Sequence, residues 1–141
     1  MIDGKLILHE AVLTVTAANK AAGGNYIDFE VAYPNLGKGR GIEIIGVAID
    51  AIVIASTGSL IFYAQESDDN ASSDAYVDMD GCTSETYAAT TTAISTIAAG
   101  TELFRFMLPN VHERYIRMVY TVGTVDLTTG GKTMVYLQPR S

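Results

Sequence analysis

Apolar and polar side chains alternate in the last third of the chain. Leu103–Leu108 alternates strictly, and Lys132–Gln138 also presents two distinct faces. Between them, Arg114–Val122 alternates as well, so its side chains divide into two sets on opposite faces. One set is Ile116, Met118, Tyr120 and Val122, and the other is Tyr115, Arg117, Val119 and Thr121. Because successive side chains of a β-strand point to opposite sides, a period of two predicts strands. These segments limit the fold to classes built around a β-sheet.

Shorter β signals occupy much of the remaining sequence. Ala11–Thr16 is rich in β-branched residues, and Tyr26–Phe29 and Leu60–Gln65 alternate. Ile42–Ile54 is almost wholly apolar, which predicts a strand buried on both faces with a bend near Asp50. We therefore expect strands in all four segments.

The segments between these strands carry turn and loop residues. Ala17–Gly24 is a soft stretch, Ser67–Asp80 is polar and acidic, and Thr83–Ile97 is a Thr/Ala-rich region of weak strand character. A helix over Ala88–Ala99 is disfavoured because its threonines lose side-chain freedom in a helix and pack well on a sheet.

About eight strands in 141 residues predict one all-β domain. An eight-strand jelly-roll β-sandwich is one of the few economical arrangements for such a chain. We divide the sequence into residues 1–24, an N-terminal arm and first strand, and residues 25–141, the jelly-roll domain, within one structural domain.

Charge and hydropathy exclude two kinds of partner. The formal net charge is −7 and positions 41–104 hold no lysine or arginine, whereas nucleic-acid binding needs a basic stripe. No apolar run reaches the roughly 18 residues of a membrane-spanning helix. The N-terminus Met1–Lys5 lacks the charged start and apolar run of a secretory signal. We therefore expect the protein to be made in a cytoplasm and either kept there or assembled there into something larger.

Residues for catalysis are scarce. Cys82 is the single cysteine, and His9 and His112, the two histidines, lie far from it in sequence, so a lone thiol in a loop is expected. Gly37–Gly41 lacks the spacing of a phosphate-binding loop and leads into an apolar strand, which indicates a turn. The sequence predicts no catalytic residues, no cofactor and no enzymatic activity.

An acidic loop is the one candidate for a metal site. Oxygen ligands of the kind calcium prefers are offered by Asp68, Asp69, Asp74, Asp78 and Asp80. The glycine and terminal glutamate of a calcium-binding loop do not fall at the required spacing. We therefore predict a solvated acidic loop and no metal site.

Four segments resemble the jelly-roll capsid cement proteins of tailed bacteriophages. Glu113–Thr124 resembles the ERYLRLNYTV strand of that family, and Gln65–Ala71 resembles its QTSDDNA loop. Val12–Ala17 followed by Asn25–Asp28, and Gly37–Gly41 before the first long apolar strand, match the family in order. The chain departs from the family at Thr83–Ala99 and Phe29–Leu36.

The resemblance implies a function as well as a fold. Members of that family are jelly-roll subunits, usually trimeric, that lie on the outer capsid surface and brace neighbouring major capsid subunits. We therefore expect a virion structural protein that is made in the host cytoplasm, associates as a homotrimer and binds the major capsid protein. The resemblance also implies an N-terminal arm that reaches beyond the subunit.

Candidate contact residues come from the late strands and from the glycine-rich turn. Tyr115, Arg117 and Val119 share one face of a predicted strand, a mixed aromatic and basic strip of the kind enriched at protein interfaces. Arg40 and Arg105 complete the predicted interface as cations that could carry docking.

Two other classes of function stay open at this stage. One is a different virion part, such as a tail, neck or receptor-binding subunit. The other is a carbohydrate-binding β-sandwich, which would need an aromatic site that eight dispersed tyrosines and no tryptophan do not display.

Overall fold

The chain is built from β-strands in the residues that its structure, a computed structural model, describes: 7–29, 41–109 and 113–139. No residue in these ranges is helical. The eleven strands found there are β1 Ile7–Val12, β2 Ala18–Asp28, β3 Ile42–Ala48, β4 Ile52–Ile54, β5 Ser59–Ser67, β6 Val77–Thr83, β7 Tyr87–Ala88, β8 Ser95–Ile97, β9 Glu102–Met107, β10 Tyr115–Gly123 and β11 Lys132–Pro139.

Two antiparallel sheets carry the fold. Sheet 1 has the strand order β1-β11-β3-β9, and sheet 2 has the order β2-β10-β5-β6, with β7 also paired to β5. A separate two-stranded sheet joins β4 to β8. Buried residues of sheets 1 and 2 form a single hydrophobic cluster, so the two sheets make a β-sandwich.

The strand pairs of the two main sheets are nested along the chain. β5 pairs with β6, β3 with β9, β2 with β10, and β1 with β11. The chain therefore doubles back once, and its first strands lie beside its last ones. This arrangement places β10 between β2 and β5, in the middle of sheet 2.

Aromatic side chains join the two sheets across the core. Phe62 of sheet 2 is fully buried, and its ring centroid lies 5.4 Å from that of Phe104 in sheet 1. The hydroxyl of Tyr87 donates a hydrogen bond to the carbonyl of Leu103, a second link between the sheets. Aromatic burial of this kind contributes strongly to core stability.

Most of the predicted strands are confirmed. Leu60, Phe62 and Ala64 of β5 face the core, as do Phe104 and Phe106 of β9. The alternation in β10 is confirmed as well, because its inner set is buried: Ile116, Met118, Tyr120 and Val122. The long apolar run forms β3 and β4, with the break at residues 49–51, where a bend was expected.

Two predictions near the N-terminus are wrong. The first strand is Ile7–Val12 instead of Ala11–Thr16. All of the soft stretch Ala17–Gly24 except its first residue belongs to β2. Alanine and glycine have weak β propensity, but pairing with the central strand β10 supplies the ladder that local sequence does not indicate. β2 runs across the division between residues 24 and 25, so residues 18–24 belong to sheet 2.

Matched isoleucine substitutions test the inner face of β10. Ile116 is fully buried, whereas Ile94 is 59% exposed in a loop. We expect Ile116→Ala to lower the free energy of unfolding by about 2–5 kcal/mol, because it removes buried methyl groups and leaves a cavity. Ile94→Ala should change it by about 0.5 kcal/mol or less. Urea unfolding measures both values, and equal losses would contradict the assignment of the core.

Candidate docking face

Sheet 2 presents an aromatic and basic surface on the side that points away from the core. We call it the tyrosine–arginine face, and its members are Tyr26, Tyr63, Tyr76, Tyr115 and Arg117. They come from β2, β5, the residue before β6, and β10. Alternation places them there, because each strand turns its other set of side chains into the core.

Arg117 is held from two sides. Its guanidinium carbon lies 3.9 Å from the centroid of the Tyr76 ring. Its Nε and Nη2 both donate to the side-chain oxygen of Gln65, at 3.1 and 3.0 Å. Gln65 is itself buried, and its amide donates to Asp78 at 2.8 Å. Stacking on an aromatic ring and the hydrogen bonds together fix the plane of the guanidinium.

A lysine spans the same surface. Lys20 of β2 forms an ion pair with Asp78 of β6 at 2.6 Å, and its Nζ lies 5.0 Å from the centroid of the Tyr63 ring. Since β10 and β5 lie between β2 and β6, this pair passes over both middle strands. Partial burial raises the pKa of Asp78, but hydrogen bonds from Lys20 and Gln65 outweigh it, and the pKa lies below its ordinary value.

Tyr115 and Tyr26 form the end of the face nearest Arg114. Their rings meet edge to face with centroids 5.6 Å apart. Arg114 lies 5.0 Å from the Tyr115 centroid and donates to both carboxylate oxygens of Asp28, at 2.7 and 3.0 Å. Tyr26 is 51% exposed, which makes it the protruding aromatic of the surface.

Arg117 differs from the other cations that the structure describes. Each of the others forms an ion pair with a carboxylate: Lys20, Arg105, Arg114 and Lys132. Arg117 contacts the neutral amide of Gln65 instead. Within residues 7–29, 41–109 and 113–139 it is the cation whose charge no carboxylate balances.

The predicted contact residues do not all lie together. Tyr115 and Arg117 belong to the tyrosine–arginine face. Val119 points to the same side of β10 but is fully buried, so it lies beneath that face and is not part of its accessible surface. Arg105 lies on β9 of sheet 1, where Glu43 and Glu102 bind it, away from sheet 2. Arg40 lies outside the described residues.

Sequence reasoning missed three tyrosines of this face and the residues that hold them. Tyr26, Tyr63 and Tyr76 are dispersed in the sequence, and only the pairing of β2, β5 and β6 around β10 gathers them. The alternation of β5, with Phe62 facing inward, does indicate that Tyr63 faces outward. No comparable signal marks Tyr76, which lies within the acidic segment Ser67–Asp80.

The tyrosines do not form an open platform for a sugar ring. A cation already lies over the rings of Tyr63, Tyr76 and Tyr115, namely Lys20, Arg117 and Arg114 respectively. Stacking of a sugar requires a free aromatic face. The geometry therefore suits contact with a protein, in which tyrosine and arginine act as anchors.

Part of the acidic loop converges at one end of sheet 2. Oxygen atoms of Asp68, Asp74 and Glu113 all lie within 4.8 Å of one another. Burial, together with the negative charges of Asp68 and Asp74, raises the pKa of Glu113 from an ordinary 4.5 to about 7. Asp69 instead accepts the backbone N–H groups of Ser73 and Asp74, which shape the loop.

Asp78 and Asp80, grouped with this loop in the sequence, lie on β6. Cys82 also belongs to β6 and is fully buried in the core, so its predicted loop position is wrong. Its thiol approaches the carbonyl oxygen of Met107 at 3.8 Å. Burial, followed by the charges of Glu66 and Asp80, raises the pKa of Cys82 to about 11, which keeps the thiol protonated and unreactive.

Comparison with known proteins identifies the family. A family model described as Bbp16 matches residues 10–136, and the chain belongs to that family. No curated protein matches the chain. Among the described residues, none forms a helix long and apolar enough to cross a membrane.

The raised pKa of Glu113 predicts a pH dependence of stability. A carboxyl group whose pKa is higher in the folded state binds its proton more tightly there, so stability falls as pH rises from about 4.5 to about 7. Glu113→Gln removes the titrating carboxyl group, and with it this loss of stability at higher pH. We expect the free energy of unfolding of the wild type, relative to Glu113→Gln, to decrease between pH 5 and pH 8.

Urea unfolding at several pH values in the presence of EDTA measures this difference without adventitious ions. The matched control is Glu85→Gln, which removes an exposed carboxylate elsewhere and should follow the wild type. Parallel curves for the wild type and Glu113→Gln would show that Glu113 titrates alike in both states.

Proposed function

We propose that this member of the Bbp16 family is a virion structural protein that cements a tailed-phage capsid. It binds the outer surface of the shell as an oligomer and bridges neighbouring major capsid subunits. It acts through contact alone, without a cofactor, and it is made in the host cytoplasm.

The tyrosine–arginine face is the observation that carries this proposal. It is an exposed sheet surface, with its charged groups already held by hydrogen bonds and ring contacts. Tyrosine and arginine, with tryptophan, are enriched among energetically dominant interface contacts. Side chains that are ordered before binding lose less conformational freedom on association, so such a surface suits stable docking.

The nested strand pairing supports the jelly-roll form of the proposal. β1 with β11, β2 with β10, β3 with β9 and β5 with β6 are the pairs expected when one long antiparallel ribbon winds into two sheets. The same order of segments underlies the sequence resemblance to capsid cement proteins, in which β10 corresponds to the late strand.

Composition supports association with other proteins. Charged residues make up 18% of the chain, below the approximately 25% usual for soluble domains. A charge-poor surface favours protein contacts over water. The resemblance implies a trimer, and we include the homotrimer in the proposal as the unit that docks.

Stabilisation would arise from many modest contacts. Once one subunit of an oligomer binds a capsid protein, the remaining subunits are held at high effective concentration beside their own sites. All of these contacts must break before neighbouring capsid proteins separate. Bridging therefore slows disassembly of the shell without any covalent chemistry.

A second candidate is favoured by one observation, the gathering of four tyrosines on sheet 2. Aromatic surfaces also occur in carbohydrate-binding modules and receptor-binding virion parts. The cations over three of the rings argue against sugar stacking. A glycan-binding screen separates this candidate from capsid docking.

Heating experiments on virion shells test the proposal. We expect decorated particles to release their genome at a higher temperature than matching particles that lack the protein, because the bridging contacts must break first. High salt should narrow the difference if ion pairs contribute to docking. Genome release is followed with a DNA-binding dye, and bound protein is quantified in the same samples.

The control is an unrelated acidic β-protein of similar size, which should leave the release temperature unchanged. Equal release temperatures with and without the protein, when its binding has been verified, would contradict the cementing function. Display or host attachment would then account better for the chain.

A further inference from the structure

Arg117 has hydrogen-bonding capacity that the subunit does not use. A guanidinium carries five N–H donors, and Gln65 accepts from Nε and from one N–H of Nη2. Both N–H groups of Nη1 and the second N–H of Nη2 make no hydrogen bond to the residues that the structure describes. Two of these donors, one on Nη1 and one on Nη2, form the end-on edge of the guanidinium, which can bind a carboxylate in two parallel hydrogen bonds.

We infer that Arg117 binds the carboxylate of an aspartate or glutamate on the major capsid subunit, with Tyr26 packing against the apolar residues beside that carboxylate. This inference rests on the proposed function, and it names the chemical group through which docking occurs. It also assigns docking to sheet 2 and excludes Arg105 of sheet 1 from the contact.

The environment of Arg117 favours a carboxylate as the missing partner. The side chain is half-buried, so an ion pair formed there on docking would be screened less by solvent and salt than one at an exposed rim. Tyr76 and Gln65 already fix the guanidinium plane, and the partner needs to supply only the acceptor. A fixed planar fork recognises a carboxylate by geometry as well as charge, which a lysine does not.

The negative charge of the subunit restricts which kind of surface can bring a carboxylate to Arg117. Asp68, Asp74 and Glu113 converge at the end of the β5–β10 pair, where Glu66 accepts the backbone N–H of Glu113 at 2.9 Å. With a net charge of −7, the subunit repels free anions and anionic polymers. The carboxylate that reaches Arg117 therefore belongs to a protein surface that is otherwise neutral or basic.

Binding of purified variants to shells stripped of the protein tests the inference. Arg117→Gln removes the charge, and Arg117→Lys keeps the charge but loses the fork. We expect an affinity loss of about 10- to 100-fold for Arg117→Gln and about tenfold for Arg117→Lys. Arg105→Gln, the same substitution on sheet 1, should stay within about threefold of the wild type. Co-sedimentation with shells gives all three affinities.

A charge reversal identifies the partner group. Arg117→Glu should abolish binding, and reversal of the contacting capsid aspartate or glutamate to arginine should restore it. Salt should weaken the wild type more steeply than Arg117→Gln, since only the wild type has the ion pair to screen. Circular dichroism and the melting temperature verify that each variant is folded, and Arg117→Lys serves if Arg117→Gln does not fold.

The outcomes separate the inference from the proposed function. Failure of the wild type to bind any shell would overturn the proposed function. Normal wild-type binding with unchanged affinities of the Arg117 variants would overturn the inference alone, as would a loss confined to Arg105→Gln. Competition by a free glycan in place of the capsid protein would also overturn it.

Discussion

Burial of the inner face of β10, together with strand pairing on both of its edges, is the constraint on which the rest of the structure depends. Its inner residues complete the core beneath sheet 1, and Val119 on the outer side is as deeply buried as they are. β10 pairs with β2 on one edge and β5 on the other, so it holds the early and middle parts of the chain together. A single strand with a period of two thereby fixes the sandwich and also positions Tyr115 and Arg117 outside it.

The outer side of sheet 2 shows how this constraint shapes the surface. Lys20 and Asp78 meet across the two middle strands, and Gln65 links Asp78 to Arg117. These polar groups form one connected network on the side of sheet 2 to which the buried Val119 points. Such a network limits the surface to one arrangement, and it leaves the charge of Arg117 without a carboxylate partner among the described residues.

The sequence predicted the fold better than the site. Alternation identifies β5, β9 and β10 because the pattern is local, whereas β2 owes its strand structure to pairing with β10 and has little local signal. In β6, Gly81 has a positive φ of 75°, and Met79 and Cys82, three residues apart, both face the core. That break in alternation explains the wrong position predicted for Cys82. Strand register across 50 or more residues brings Gln65 and Tyr26 beside Arg117, and a single sequence does not reveal register.

An image reconstruction of decorated particles at a resolution that shows side chains tests the central claim most directly. The outer face of sheet 2 is predicted to lie against the shell, with the guanidinium of Arg117 at hydrogen-bonding distance from a carboxylate of the major capsid protein. Tyr26 should lose its exposure to solvent in the same contact. A reconstruction in which sheet 1 and Arg105 face the shell, with sheet 2 open to solvent, would contradict it.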